Sequence, residues 1–113
     1  MARFAYRSNK FNARRTEVDG IAFASKAEAK RYSHLKLLAR VGEIADLELQ
    51  PKYDFVVNGV KVCSYLADFR YRVAATGAEV VEDVKSAPTR TPEYRIKRKL
   101  MKAIHGIDVI EVA

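Results

Sequence analysis

Two carboxylates and a lysine on neighbouring predicted strands are the residues of this chain most suited to chemistry. Asp68 lies among apolar residues in YLADFRY, and Asp83 and Lys85 stand two residues apart in VVEDVK. Because side chains alternate between the two faces of a strand, Asp83 and Lys85 point to one face and Glu82 points to the other. If the strands pair antiparallel, both carboxylates and the ammonium group collect on one face.

The length of the turn between these strands decides whether the groups meet. A turn centred on residues 75 and 76 would place Asp68 opposite Asp83, and a turn centred on 76 and 77 would place it opposite Lys85. A three-residue loop would instead set Asp68 against residue 82 or 84. Sequence defines turn length poorly, so all three registers stay open.

Such a cluster is costly to bury, because two nearby carboxylates repel and a folded protein usually compensates them with a cation. Mg²⁺ takes oxygen ligands of this kind and keeps positions open for water and phosphate. A neighbouring lysine can stabilise charge that develops on a phosphate, or help to orient and deprotonate an attacking water. The alternative is a partly exposed ladder of salt bridges, which the unspecific Asp-x-Lys spacing favours when it is taken alone.

Glu28 is a fourth candidate, at the start of the first predicted helix. Ser25 is positioned to cap that helix, and Glu28 follows three residues later, which is the spacing of a capping box. The apolar stripe formed by Tyr32, Leu35 and Ala39 continues back by one turn to Glu28. Glu28 therefore has two interpretations: a local cap, which the motif favours, and a carboxylate directed toward the edge of the sheet.

The charge of the chain, +7 overall with a pI near 9.7, is concentrated at its two flanks while the acids collect in the middle. Basic flanks around an acidic centre predict a polyanion held at the edges while its scissile group meets a metal. A basic surface with no partner is the alternative. The predicted nucleic-acid contacts are Arg3, Arg7, Lys10, Arg14 and Arg15 near the start, and Arg90, Arg95, Lys97, Arg98, Lys99 and Lys102 in the second cluster.

A chain of 113 residues fits a single domain. Residues 1–15 show no periodicity, so we predict that they form a basic arm. We predict that residues 16–113 form the domain. No apolar run is long enough for a membrane span, and the N-terminus lacks the apolar segment of a secretory signal. The lone Cys63 excludes an internal disulfide and a cysteine-based zinc site, which is consistent with a reducing cytoplasm. His34 and His105 have no partner pattern for covalent catalysis.

The predicted order of elements is helix, three-strand meander, helix and strand, with a small hairpin at Asp19-Gly20 in front. The first helix follows Ser25 and ends before Gly42, and the second begins at Pro92 and ends before Gly106. The meander comprises residues 53–57, 60–73 and 79–86, and residues 107–112 form the final strand. This order predicts an α/β (α+β) fold with a mixed sheet flanked by helices.

This order, with Glu28 on the first helix, Asp68 on the second core strand and Asp83-Val84-Lys85 on the third, resembles the PD-(D/E)XK nuclease superfamily, whose fold is restriction-endonuclease-like. The blocks TEVDGIAFASKAEAKRY, ELQPKYDF, YLADFRY and VVEDVKSAPTRTPEYRIKRKLM look like a small phage-encoded family of that superfamily. Its members are often labelled Holliday-junction-resolvase-like or endonuclease-like. The resemblance runs from about residue 15 to the end.

The resemblance implies a role for each of the four residues. Asp68 would match the aspartate of the first half-motif and bridge the metal, and Asp83 would be the second ligand at the D/E position. Lys85 would match the motif lysine, which positions or activates the water. Glu28 would match the acid on the first helix that completes the metal site in many members.

Three further positions bear on the resemblance. Gln50, just before the meander, would contact a water of the metal site or the phosphate backbone, although a role in loop packing is favoured. Ala67 stands where the nominal motif has proline. Glu82 is a rival for the ligand at position 83 if a β-bulge shifts the strand.

The function expected from the resemblance and the charge pattern is Mg²⁺- or Mn²⁺-dependent hydrolysis of DNA phosphodiester bonds, by an endonuclease acting on branched DNA or Holliday junctions. A homodimer could cut two strands symmetrically. One alternative is a DNA-binding module without catalysis, in which only the basic flanks work. Another is an interaction protein whose basic helix contacts an acidic protein partner.

Overall fold

Eight short strands and two helices make up the described part of the chain. The computed structural model describes residues 16–113, and the predicted basic arm over residues 1–15 lies outside the described residues. In chain order the elements are β1 (Thr16–Val18), β2 (Ile21–Phe23), α1 (Lys26–Arg40), β3 (Ile44–Leu49), β4 (Lys52–Val57), β5 (Val60–Leu66), β6 (Phe69–Val73), β7 (Glu79–Val84), α2 (Pro92–Leu100) and β8 (Ile110–Val112). These elements confirm the predicted α+β class.

The central sheet has four strands in the spatial order β3-β6-β7-β8. β6 pairs antiparallel with both β3 and β7, and β7 pairs parallel with β8. The predicted meander was wrong in its first strand, which is β3 and not residues 53–57. β4 and β5 instead form a separate two-stranded hairpin. Its turn is the predicted one, with Asn58 and Gly59 at φ 50° and 79°, as such a tight hairpin turn requires.

The long strand predicted over residues 60–73 is two strands with a break between them. β5 ends at Leu66 and pairs with β4, whereas β6 begins at Phe69 and pairs within the central sheet. In the break, the Ala67 N–H donates to the Pro51 carbonyl at 3.1 Å and the Asp68 N–H donates to the Glu82 carbonyl at 3.1 Å. The chain thus passes from the hairpin to the central sheet at Asp68. The final strand, β8, is shorter than predicted.

The first helix begins and ends where the sequence predicts. The Ser25 hydroxyl accepts a hydrogen bond from the Glu28 N–H at 3.1 Å, which satisfies one of the free donors of the first turn. Its buried residues are Ala29, Tyr32 and Leu35. Gly42, at φ 83°, lies just past its end. The helix is therefore anchored by its apolar stripe, and Glu28 lies at the N-terminal end of that stripe.

The second helix is also capped as predicted and continues into a π-helical turn over Met101–His105. The Thr91 hydroxyl accepts from the Tyr94 N–H at 3.1 Å, and Pro92 occupies the first helical position, where a missing N–H costs nothing. Tyr94 and Met101 are its buried residues. Their burial directs the N-terminal half of α2 toward the end of β7.

Two hydrophobic cores lie against the central sheet. One joins α1 to side chains such as Phe69 and Tyr71 on β6. The other joins α2 and the β4–β5 hairpin to side chains such as Val81 on β7. The break at Asp68 lies where these two layers meet. None of the helices within residues 16–113 combines the length and the apolar character needed to cross a membrane.

Candidate active site

Asp68 is held in place by backbone groups from two directions. Its carbonyl accepts from the Gln50 N–H at 2.9 Å, and its side-chain Oδ2 accepts from the Val84 N–H at 2.8 Å. The β6–β7 ladder pairs Phe69 with Glu82, a register that places Asp68 opposite Asp83 when it is extended by one residue. This is the first of the three registers considered from the sequence. The hydrogen bonds fix the Asp68 carboxylate between the end of β3 and the end of β7.

Asp83 is the buried member of the cluster, with 2% of its surface exposed. Its Oδ2 accepts a hydrogen bond from the Tyr65 hydroxyl of the hairpin. Burial, followed by the negative charge of Asp68, raises the pKa of Asp83 to about 7, while Tyr65 and Lys85 act in the opposite direction. The Asp83 carboxyl therefore lies close enough to Asp68 and Lys85 to be affected by both charges.

Glu28 reaches the same cluster from the start of α1. Burial, followed by the charge of Asp68, raises the pKa of Glu28 to about 7; Lys85 lowers it and a hydrogen bond with Asp68 raises it further. The Glu28 N–H is used by the Ser25 cap, but its carboxyl is directed to Asp68. Of the two interpretations of Glu28, the structure has the inward carboxylate.

Lys85 follows β7 and supplies the positive charge that acts on both Glu28 and Asp83. Its backbone N–H donates to the Val112 carbonyl at 2.8 Å, which fixes this residue against β8. Its Nζ lies 4.2 Å from the centroid of the Tyr94 ring, within the range of a cation–π contact. The four residues singled out in the sequence thus lie close to one another, and Asp68 and Lys85 both act on Glu28 and Asp83.

The donor chemistry of this cluster fits a hard divalent cation. Among residues 16–113, no group of three or more His, Cys, Asp or Glu side chains is already arranged around a common point that could hold a metal ion. However, three carboxyl groups share this cluster with one lysine, and two of them have pKa values raised to about 7. Oxygen donors of this type suit Mg²⁺ or Mn²⁺, and binding of such an ion releases the protons that the donors hold.

Residues 8–108 match a family described as "Protein of unknown function (DUF1064)". The chain belongs to this family. No curated protein and no solved structure matches the chain. The family description names no activity.

Glu82 in the DUF1064 chain lies on the opposite face of β7 from Asp83. Its carboxylate accepts from Arg31 Nε at 2.8 Å and from Arg31 Nη2 at 2.6 Å, and also from the Tyr71 hydroxyl. Only 1% of its surface is exposed. The structure therefore joins Glu82 to α1 and does not bring it into the cluster, because β6 and β7 pair through this region in one continuous register.

Arg31 and the two tyrosines, Tyr65 and Tyr94, were missed in the sequence. Arg31 lies on a helix among other charged residues, and no local signal points to its partner Glu82, which is 51 residues away. Buried tyrosine hydroxyls need hydrogen-bond partners, and here they take Asp83 and Glu111. Neither partner could be chosen without knowing which strands are neighbours.

Gln50 and Ala67 flank Asp68 through backbone contacts. Gln50 adopts φ 50° and is exposed, and its N–H reaches the Asp68 carbonyl. Its observed contact with the cluster is thus a backbone one. Ala67 uses its N–H to bond the Pro51 carbonyl. A proline at position 67 has no N–H and would lose that bond.

The second basic cluster divides into paired and unpaired side chains. Arg90 Nε and Arg98 Nη1 contact Glu111 at 3.0 and 3.3 Å, where the Tyr94 hydroxyl also donates at 2.9 Å. Two lysines are also paired: Lys97 lies 3.0 Å from Glu93, and Lys102 lies 2.9 Å from Asp108. Arg95 and Lys99 are exposed and form no ion pair with any residue in the range 16–113. The predicted contacts Arg3, Arg7, Lys10, Arg14 and Arg15 lie outside the described residues.

Proposed function

We propose that this DUF1064 protein is a Mg²⁺- or Mn²⁺-dependent deoxyribonuclease of the PD-(D/E)XK type that hydrolyses phosphodiester bonds. The observation that carries the proposal is that Glu28, Asp68, Asp83 and Lys85 lie close together, although they come from three separate segments of the chain. A carboxylate cluster is costly to build, and its combination with one lysine suits phosphoryl chemistry better than a structural salt bridge. The resemblance of the sequence blocks to nucleases supports the same conclusion.

Each side chain has a role in this proposal. Asp68 and Asp83, together with Glu28, would hold the ion, which when bound supplies Lewis-acid stabilisation of the charge that develops on the phosphate. The Val84 N–H and the Tyr65 hydroxyl orient the two aspartates. Lys85 can donate to a phosphate oxygen or orient the attacking water.

Both histidines of the described chain contact groups away from the carboxylate cluster, which favours hydrolysis by water without a covalent enzyme intermediate. His34 Nδ1 lies 2.9 Å from Arg31 Nη1, and His105 Nε2 lies 2.9 Å from the Asp54 carbonyl oxygen. Neither histidine is among the groups that shift the pKa of Glu28 or of Asp83. The proposed nucleophile is therefore water, and the work of the protein is to bind and orient charge.

The proposed substrate is DNA, double-stranded or branched, and the proposed compartment is the cytoplasm of the cell that makes the protein. Branched DNA or a Holliday junction, and a homodimer that cuts two strands, are proposals that rest on the sequence resemblance. The basic flanks support a polyanionic substrate because they remain in excess over the acids. A direct test is cleavage of labelled duplexes, flaps, single strands and four-way junctions with Mg²⁺, Mn²⁺ or EDTA. No cleavage of any substrate with either ion would reject hydrolysis.

Cleavage at a fixed Mg²⁺ concentration is expected to rise with pH through about 7. Glu28 and Asp83 hold protons below that pH, because burial and Asp68 raise both pKa values to about 7. The ion competes with those protons, so raising its concentration should move the midpoint to lower pH. Initial rates between pH 5.5 and 8.5 at two Mg²⁺ concentrations measure this. A midpoint that does not respond to Mg²⁺ would show that the carboxyl groups are not its ligands.

The unpaired state of Arg95 and Lys99 favours a second candidate function, a DNA-binding module without catalysis. The double variant Arg95→Ala/Lys99→Ala is expected to lower the slope of log affinity against log salt concentration by about 2. Anisotropy titrations with a labelled duplex at several salt concentrations measure that slope. The control, Lys36→Ala/Arg40→Ala on α1, removes the same charge, and an equal effect there would argue against a specific contact. Salt-dependent binding without cleavage under any divalent ion would favour this second function.

A further inference from the structure

A groove of about 330 Å³ opens beside the carboxylate cluster. Residues 64–66 at the end of β5 form one wall, the start of α2 with Tyr94 and Lys97 forms the other, and Lys85 lies between them. Tyr65, which donates to Asp83, also lines the groove. The groove is therefore continuous with the candidate active site, since Lys85 and Tyr65 belong to both.

The lining of this groove combines an apolar contact with positive charge. Leu66 is 57% exposed and is the exposed large hydrophobic side chain that lines it among the described residues. Lys85 and Lys97 supply positive charge, partly offset by Glu93, whose carboxylate pairs with Lys97 at 3.0 Å. Because Glu93 is largely exposed, that pair is weak and a phosphate could compete for Lys97.

We propose that this groove binds one unpaired nucleotide next to the scissile phosphate, with its base against Leu66 and its phosphate near Lys97. The proposal rests on the proposed function for its DNA substrate. The volume lies at the lower end of the range for small-ligand pockets, about 300–1,000 Å³. In a continuous duplex the base faces are covered by stacking, so only a nucleotide outside the stack can offer one to Leu66. The preferred substrates are therefore single strands, flaps and frayed ends, ahead of continuous duplex.

The absence of tryptophan from the sequence allows a direct test by fluorescence. In the variant Leu66→Trp, stacking with a base should quench the indole emission when a thymidine dodecamer is added in EDTA, where cleavage cannot occur. The matched duplex should quench it much less. The control Val62→Trp is on the same hairpin, 61% exposed and not part of the groove lining, and should change little. Equal quenching by duplex and single strand, or equal responses of the two variants, would overturn the proposal.

A second measurement uses cleavage as its readout and smaller side chains at the same two positions. With Mg²⁺, Leu66→Ser should lower the ratio of single-strand to duplex cleavage about tenfold, as expected for losing the apolar contact of one leucine side chain with a base, and Val62→Ser should leave it unchanged. Cleavage without selective quenching would reject the nucleotide site and leave hydrolysis standing. Selective quenching without cleavage would support the site and reject hydrolysis. The two failures are thus distinguishable.

Discussion

Replacement of Asp83 by asparagine is expected to abolish Mg²⁺-dependent cleavage and, at the same time, to stabilise the folded protein. The activity should fall by at least about 10³-fold, because a proposed ligand for the ion loses its charge and several kcal/mol of transition-state stabilisation go with it. DNA binding in EDTA should be retained, since the basic side chains are unchanged. The asparagine oxygen can still accept the hydrogen bond from the Tyr65 hydroxyl.

The gain in stability follows from the direction of the pKa shift. In the folded state the pKa of Asp83 is about 7, above its ordinary value of 3.8, so the unfolded chain loses this proton first as pH rises. The contribution of Asp83 to the free energy of unfolding therefore falls between about pH 4 and 7 and is unfavourable at pH 8 without a metal. Asparagine removes that cost and should add about 0.5–2 kcal/mol at pH 8, but little at pH 4.

Thermal unfolding at pH 4 and pH 8 in EDTA, together with cleavage of labelled DNA in Mg²⁺, tests both parts of this prediction. The control is Asp54→Asn on the hairpin, where the carboxylate is half exposed and pairs with Lys61 at 3.4 Å. That variant should keep both activity and stability within about 0.5 kcal/mol. An Asp83→Asn protein that still cleaves DNA would contradict the proposed centre. One that is less stable at pH 8 would contradict the burial argument.

The largest loss of stability is expected from Arg31→Met. Only 1% of the surface of Glu82 is exposed. The change removes the two hydrogen bonds that its carboxylate accepts from Arg31 and leaves the Tyr71 hydroxyl as its one remaining side-chain donor among the described residues. Breaking a buried ion pair on one side typically costs about 3–5 kcal/mol. The free energy of unfolding, measured in urea at pH 7.5, should fall by that amount. The same ion pair ties α1 to β7, so cleavage should also fall as Glu28 loses its position.

Two controls separate the buried charge from general disruption of the helix. The double variant Arg31→Met/Glu82→Gln removes the unpaired charge and should recover most of the lost stability. Arg72→Met breaks the exposed pair between Arg72 and Asp46, which should cost no more than about 1 kcal/mol. If Arg31→Met proved as mild as Arg72→Met, the ion pair would not be what holds α1 against the sheet.

Local signals in the sequence predicted the parts of the fold that depend on neighbouring residues. Ser25 and Thr91 cap their helices, and Asn58-Gly59 forms the hairpin turn, because each of these acts through hydrogen bonds or dihedral angles within a few residues. The place of Glu28 beside the aspartates was only one of two interpretations of the residues, of which the capping motif favoured the other, and the resemblance to nucleases implied it. The helical period put Glu28 on the apolar stripe, but it did not show which strand the stripe faces.

The parts that could not be predicted depend on pairing between distant segments. Residues 60–73 read as one strand because their apolar character continues through Ala67 and Asp68, and the break appears only once β5 pairs with β4 and β6 with β3. Arg31 reads as a solvent-exposed helical charge until Glu82 is placed beneath it. Arg90 and Arg98 were predicted as nucleic-acid contacts, yet both contact Glu111 on β8.

The parallel pairing of β7 with β8 has a consequence for synthesis of the protein. Asp83 pairs with Glu111, and the Lys85 N–H bonds the Val112 carbonyl, so both residues are fixed by a strand made almost thirty positions later. While β8 is still inside the ribosome, the nascent chain lacks that support. The catalytic apparatus proposed here would therefore form only after β8 has left the ribosome, and a ribosome-bound fragment ending before β8 should be inert toward DNA.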